Sequence, residues 1–240
     1  MFKKTNKPVA EQFRHEFKYE ITQNQLELLK FRLPQVMDYD AHSAEGSYCI
    51  RSLYFDDYYN SCFYDNENGT DPREKFRVRI YNGSADVIKL ECKRKERGKT
   101  LKKSCSISEE TVKRLMEGEP LEWDESMHPL LKKLYLLQQT KGMKPKVIVE
   151  YDRIPFIYDT GNVRITLDLD LRASTDIKKF LEREMNGRPI MPFGQNLLEV
   201  KYDTVLPDFI YRQTQLSALR QTAFSKYYLC RKFGGFYDNF

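Results

Sequence analysis

Lysine and arginine alternate with apolar residues along two neighbouring segments, Lys75-Phe76-Arg77-Val78-Arg79-Ile80-Tyr81 and Ile88-Lys89-Leu90-Glu91-Cys92-Lys93-Arg94-Lys95. Side chains in a β-strand point alternately to opposite faces. Arg77, Arg79, Lys89, Glu91 and Lys93 therefore share one polar wall, while Phe76, Val78, Ile80, Ile88, Leu90 and Cys92 share an apolar one. A wall of that kind attracts polyanions. A single strand with this pattern also reads as the solvated face of a half-exposed sheet. The pattern recurs, however: Arg14, Glu16, Lys18 and Glu20 alternate with His15, Phe17 and Tyr19; Arg164, Thr166, Asp168 and Asp170 with Ile165, Leu167 and Leu169; Glu199, Lys201 and Asp203 with Val200 and Tyr202. Five charged strand faces ask for one common explanation.

The elements that carry these residues can be placed along the chain. A strand over 13–21 leads to Thr22, an N-cap for a helix that buries Leu26, Leu29 and Leu33 and stops at Pro34. Residues 47–55 read as a strand closed by a turn at Asp56-Asp57, and residues 66–69 as a loop. Asn82-Gly83 joins the two basic strands as a hairpin turn. A third strand over 100–107 follows, then a helix capped by Ser108, then an amphipathic helix over 125–140. Strands over 147–153, 156–159, 163–171 and 197–202 return the chain to sheet, and helices after Pro207 and over 224–231 finish it. Segment 1–12 is polar and expected to be flexible, leaving 13–240 as a single domain. The expected fold class is α+β, mainly β: a closed antiparallel barrel with a polar, basic lumen and helices packed outside.

Composition narrows the chemistry. Of 240 residues, 40% are hydrophobic and 31% charged, enough apolar content for a core and more charge than the ~25% usual for globular chains. The net charge is only +5, yet residues 73–103 hold twelve Lys/Arg against four Asp/Glu, so basicity is placed and not diffuse. The chain carries no nucleic-acid motif, and its basic residues sit at strand spacing among acids instead of along one helix, which argues against nucleic acid as partner. Five scattered cysteines form no C-x-x-C pair and signal neither a disulfide framework nor zinc, and reduced thiols suit a cytoplasmic chain. No apolar run is long enough to span a bilayer, although a membrane-protein partner stays open. His15, His42 and His128 show no metal-ligand spacing, and Gly98-Lys99-Thr100 lacks the earlier glycine of a nucleotide-binding loop. The aromatic run from Tyr54 and Phe55 to Tyr64 is expected to pack on the outer wall.

Seven motifs stand in a familiar order: F-K-Y-E at 17–20, S-L-Y-F-D at 52–56, K-F-R-V-R-I-Y at 75–81, L-E-C-K-R-K at 90–95, V-R-I-T-L-D at 163–168, L-E-V-K at 198–201 and F-S-K-Y at 224–227. Their order and spacing resemble the VTC domain, the polyphosphate polymerase domain within the triphosphate tunnel metalloenzyme (CYTH-like) superfamily. The resemblance implies a tunnel that binds ATP, another triphosphate or polyphosphate, together with a manganese or magnesium ion. It carries phosphate-binding roles to Lys18, Arg77, Arg79, Lys93, Lys102, Arg153, Arg164, Lys201 and Lys226, with Lys102 preferred over Lys103. Among these, Arg77, Arg79, Lys93, Lys102, Arg164, Lys201 and Lys226 would also stabilise the transferring phosphoryl group. Glu199 matches the metal-binding glutamate, with Asp168 and Glu91 weaker matches. The implied activity is transfer of the ATP γ-phosphate to polyphosphate. Tripolyphosphate or nucleoside-triphosphate hydrolysis, and polyphosphate binding without turnover, are the alternatives. First-strand Glu16-x-Lys18-x-Glu20 departs from the E-x-E-x-K of the hydrolytic branches and fits the VTC branch better.

Overall fold

The computed structural model describes residues 13–41, 43, 46–217 and 219–233. The expected flexible segment 1–12 and His42 lie outside the described residues. In chain order the elements are β1 (His15–Thr22), α1 (Gln23–Arg32), β2 (Asp38–Tyr39), β3 (Tyr48–Asp56), α2 (Ser61–Glu67), β4 (Arg73–Tyr81), β5 (Ser84–Glu96), β6 (Lys99–Ser106), α3 (Glu109–Met116), α4 (Pro129–Lys141), β7 (Lys144–Tyr158), β8 (Val163–Ser174), β9 (Arg188–Pro189), β10 (Gln195–Tyr202), α5 (Asp208–Thr214) and α6 (Lys226–Phe233).

All strand pairings are antiparallel, along the path β1-β10-β8-β7-β3-β4-β5-β6, with β2 and β9 attached at β7 and β8. The sheet curls so strongly that its two ends approach. Arg14, just before β1, exchanges backbone hydrogen bonds with Thr100 of β6 at 2.9 and 3.0 Å. Among the described residues this bridge is the only β-pairing between the two ends; the observed architecture is thus a strongly curled antiparallel sheet.

Alternation sorts the core as the sequence implies. Phe76, Val78, Ile80, Ile88, Leu90 and Cys92 are buried together with Leu53 and Phe55 under α3 and α4. On another stretch of the convex face Ile165, Leu167, Leu198 and Val200 pack with Leu26 and Leu29 of α1 and Ile210 of α5. Helix α6 is placed differently: Tyr227 and Cys230 join Tyr48, Ile50, Tyr54, Val147, Val149 and Tyr151, on the face opposite to Leu53 and Phe55. It covers part of the concave side and brings Lys226 into it. None of the helices among the described residues is long and apolar enough to cross a membrane.

Local chemistry explains where the element boundaries fall. Thr22 caps α1 in a reciprocal box with Gln25. The 125–140 helix begins only at Pro129, because His128 Nδ1 accepts from Leu130 N at 3.1 Å and proline suits the first helical position. The hairpin turn holds Asn82 and Gly83 at φ of 52° and 64°, the left-handed pair that a two-residue turn requires. Strand β7 runs unbroken through Pro155, so the expected 147–153 and 156–159 strands are one. Helix α2 was not foreseen, since part of it falls in the 66–69 segment and its own N-cap residue makes no side-chain cap. Its caps come from upstream: Asp57 Oδ1 accepts Ser61 N at 2.9 Å, Asp56 Oδ1 accepts Cys62 N at 2.9 Å, and Asp56 Oδ2 accepts Phe63 N at 3.1 Å. Tyr227 of α6 donates its hydroxyl to the same Asp56 carboxylate, so one fully buried side chain ties β3, α2 and α6 together.

Asp56→Ala would leave several buried donors unsatisfied, and we expect it to lower unfolding stability by about 3 kcal/mol in urea denaturation. An unchanged midpoint would remove Asp56 as the tie between these elements.

Candidate functional site

The concave face gathers side chains from all eight strands of the path and from the start of α6. On β4 and β5, Arg77 reaches Glu91 at 2.7 Å and the Tyr54 hydroxyl at 2.8 Å, and Lys102 of β6 reaches the other Glu91 oxygen at 3.1 Å. Arg79 donates to Ser52 Oγ at 3.2 Å and to the Tyr151 hydroxyl at 3.3 Å. Opposite, Arg153 holds Asp168 through two bonds at 2.6 and 2.7 Å, and Lys226 reaches Asp168 at 2.5 Å while lying 4.6 Å from the Tyr151 ring centre. Glu199 is the hub. Its two oxygens meet Lys201 at 2.7 Å, Arg153 and Lys226 at 3.2 Å and Lys18 at 3.3 Å. Lys18 in turn lies 3.3 Å from Glu16, and Glu16 accepts both from Lys93 at 2.7 Å and from Thr100 Oγ1 at 3.1 Å. Glu16 thus joins β1 to β5 and β6, across the gap between the ends of the sheet.

Strand period positions these groups. Glu16 and Lys18, Arg77 and Arg79, Glu91 and Lys93, Thr166 and Asp168, and Glu199 and Lys201 are each two apart, so each strand offers two groups to one face. Register then sets them side by side: Lys18 opposite Glu199, Arg77 opposite Glu91, Lys93 opposite Lys102 and Arg153 opposite Asp168. Lys102 meets Glu91 on this face. The alternation expected through Asp170 ends early. Asp170 is exposed at φ 52°, beside a register shift in the β7–β8 ladder, and beyond it Leu171 and Ala173 join the apolar cluster around α6.

Lys18, Arg77, Arg79, Lys93, Lys102, Arg153, Lys201 and Lys226 face Glu16, Glu91, Asp168 and Glu199, an excess of four positive charges. Burial favours the neutral form of Glu199, but Lys201, Lys226, Lys18 and Arg153 together hold its carboxyl well below the usual range. Glu91 and Glu16 behave alike: burial opposes their charge, and Arg77, Arg79 and Lys102 for the first, Lys93, Lys18 and Lys201 for the second, overcome it. Burial pushes Lys93 down to about 8 in spite of Glu16.

Every residue carried over from the motifs lies on this face. Arg164 is set apart from the central cluster, pairing with Asp40 at 2.7 Å and the Tyr48 hydroxyl at 2.9 Å. Sequence reasoning gave Glu16 no role and sent Tyr54 to the outer wall. Tyr54 instead points inward to Arg77 while Phe55 packs outward, a division that the two-residue period through Ser52, Tyr54 and Asp56 already carried. Tyr151 gave no signal, because it stands between Glu150 and Asp152, outside all seven motifs.

No group of three or more His, Cys, Asp or Glu among the described residues is placed to hold a metal ion. Hard oxygen donors are nonetheless present. Glu199 is paired in register with Thr166, whose hydroxyl is buried with no hydrogen-bond partner among the described residues. That donor chemistry fits a magnesium- or manganese-like ion whose remaining ligands are phosphate oxygens and waters.

Comparison with known proteins agrees with the geometry. The VTC domain family matches residues 13–233. Among solved structures, a putative adenylyl cyclase from Hippeastrum, described as revealing a dominant triphosphatase activity, aligns with a TM-score of 0.52 and 14% identity over 92% of this chain and 96% of that one. A putative adenylate cyclase from Bacillus halodurans aligns with a TM-score of 0.50 and 13% identity over 85% of this chain and 87% of that one. At such identities the likeness is one of fold. Among curated proteins, none matches the chain.

Because Lys93 is cationic only below about pH 8, we expect inorganic tripolyphosphate to bind more tightly at pH 7 than at pH 9, with net proton uptake on binding near pH 8. Calorimetry in buffers of different ionisation enthalpy reads both, and a pH-independent affinity without proton uptake would remove Lys93 from the anion's surroundings.

Proposed function

Because the chain belongs to the VTC domain family, we propose that the curled sheet forms a tunnel in which a metal-dependent, polyphosphate polymerase-like phosphotransferase moves the ATP γ-phosphate onto a polyphosphate chain. The observation that carries this reading is the excess of four positive charges in the cluster built on Glu16, Glu91, Asp168 and Glu199, close to the charge of about four on a triphosphate.

Phosphoryl transfer asks for positioning and charge neutralisation more than for covalent chemistry. Arg77 and Arg79 offer planar forks to phosphate oxygens, and Lys18, Lys93, Lys102, Lys201 and Lys226 supply point charges whose present carboxylate partners exchange for phosphate. Arg153, clamped by Asp168, stays fixed and keeps Glu199 in place. An oxygen of the acceptor's terminal phosphate attacks the γ-phosphorus in line; the new P–O bond forms as the bond to the β-bridging oxygen breaks, and ADP leaves. No Ser, Cys or His nucleophile enters. Glu199, with Thr166 beside it, would hold the divalent ion, which when bound neutralises charge on the phosphate oxygens.

Hydrolysis of a triphosphate is the second reading, favoured by the triphosphatase description of the Hippeastrum protein. Water replaces the acceptor phosphate and the cationic lining serves unchanged.

Incubating the purified chain with ATP and manganese separates the readings. Long phosphate chains with ADP are expected; free phosphate without chains selects hydrolysis, and binding without turnover leaves a polyphosphate-binding module. Glu199→Gln is expected to reduce turnover at least about 100-fold while anion binding persists, since removing a carboxylate leaves the cations in place. Equal loss of binding and turnover would remove the metal-holding role.

A further inference from the structure

The outer face of β1 and β10 carries chemistry that the concave cluster does not use. Phe17 and Tyr19 alternate with Glu16 and Lys18, and Tyr202 follows Lys201, so their rings stand on the opposite side of the same strands. There Phe17, Tyr19 and Tyr202, together with Tyr211 of α5, wall a cavity of about 480 Å³ bounded by the 204–206 segment. That size lies within the roughly 300–1,000 Å³ of small-molecule sites. Phe17 and Tyr202 stack with ring centres 6.0 Å apart, and His15 stacks on Tyr202 at 4.8 Å. Tyr19 and Tyr202 are half-buried, whereas Tyr211 is exposed. Among the described residues the hydroxyls of Tyr19, Tyr202 and Tyr211 make no hydrogen bond to a protein group. The aromatic walls are therefore fixed by stacking, and their polar tips are left open to a ligand.

The lining has one electrostatic sign. Among the described residues around the cavity none is Lys, Arg or His, and Asp208 is a carboxylate, although the chain as a whole carries +5. Asp208 pairs with Arg212 at 2.7 Å, but both side chains stand largely in solvent, at 70% and 76% exposure, where such pairs contribute little. Aromatic ring faces are electronegative and attract cations. Burial, followed by Tyr211 and Tyr202, raises the Tyr19 phenol, which keeps it protonated. An anion would be repelled here. A neutral apolar group would leave Asp208 and the phenol oxygens unused, whereas a cation clothed in CH groups meets the rings, the oxygens and the carboxylate together.

We propose that this cavity is a second binding site, which takes a small alkylammonium cation between Phe17, Tyr19, Tyr202 and Tyr211 with its charge toward Asp208. The site goes beyond the triphosphate reading and does not rest on it, since the two lie on opposite faces of the same strands.

The test titrates the full chain with choline and, separately, with 3,3-dimethylbutan-1-ol, which has the same shape but carbon in place of the cationic nitrogen, and reads both affinities by calorimetry at fixed ionic strength. Choline is expected to bind about ten-fold more tightly than the neutral isostere. Tyr211→Leu keeps apolar bulk at an exposed position but removes one ring, and is expected to lower choline affinity about five-fold while leaving that of the isostere as it is. Asp208→Asn is expected to act in the same direction, and reads the same ratio should Tyr211→Leu fail to fold. Isostere binding as tight as that of choline would make the cavity an apolar cleft, and choline binding unchanged in both variants would place the cation elsewhere. Either result overturns the site, as does the absence of saturable choline binding. Tripolyphosphate affinity has no part in these outcomes, so failure here leaves the triphosphate reading standing.

Discussion

Cations crowded onto a concave, partly desolvated surface repel one another and lose hydration, and the structure depends on how that cost is met. Glu199 accepts from four cationic side chains on three strands and one helix, Glu91 gathers Arg77, Arg79 and Lys102, and Glu16 joins Lys18 to Lys93. Under the proposed function, each carboxylate stands in for phosphate oxygen. Breaking any one would leave buried charge uncompensated, so these acids keep the basic face foldable before an anion arrives. They also leave it short of neutrality by about the charge of one triphosphate, which makes the site receptive without making it unstable.

The same arrangement ties the fold to the site. Apolar residues on the convex side pack under α1, α3, α4 and α5, and this packing makes the sheet curl so that β1 and β5, distant along its path, face one another. Helix α6 approaches from the concave side, where its apolar residues meet the inward-facing apolar residues of β3 and β7 and Lys226 enters the polar cluster. Asp56 fixes that approach through Tyr227. A residue of β3 outside the polar cluster thereby controls where Lys226 stands.

Much of this was legible beforehand. Two-residue alternation assigned inner and outer faces for β4, β5 and β10, and cap residues at Thr22 and Ser108 set two helix starts. Asn82-Gly83 set the hairpin. Where the reading erred, side-chain contacts decided or a period went unread. Helix α2 starts because Asp56 at the end of β3 and Asp57 after it supply its caps, and Tyr54 faces inward with Ser52, as the strand period implies, where Arg77 meets its hydroxyl. The alternation of β8 is lost at Asp170, where a bulge exchanges a polar inner residue for Leu171.

The sequence by itself determined which residues share a strand face, where the basic residues concentrate and which family the ordered motifs belong to, because periodicity and short motifs are local properties of a chain. Tertiary structure alone decided which charges are compensated. Lys93 meets Glu16 and Lys226 meets Asp168 across long stretches of sequence, and Lys75, in the same row and of the same residue type as Lys93, meets no acid. Composition counts charges, but Coulomb energy depends on distance and burial, and both are set only when the sheet has curled.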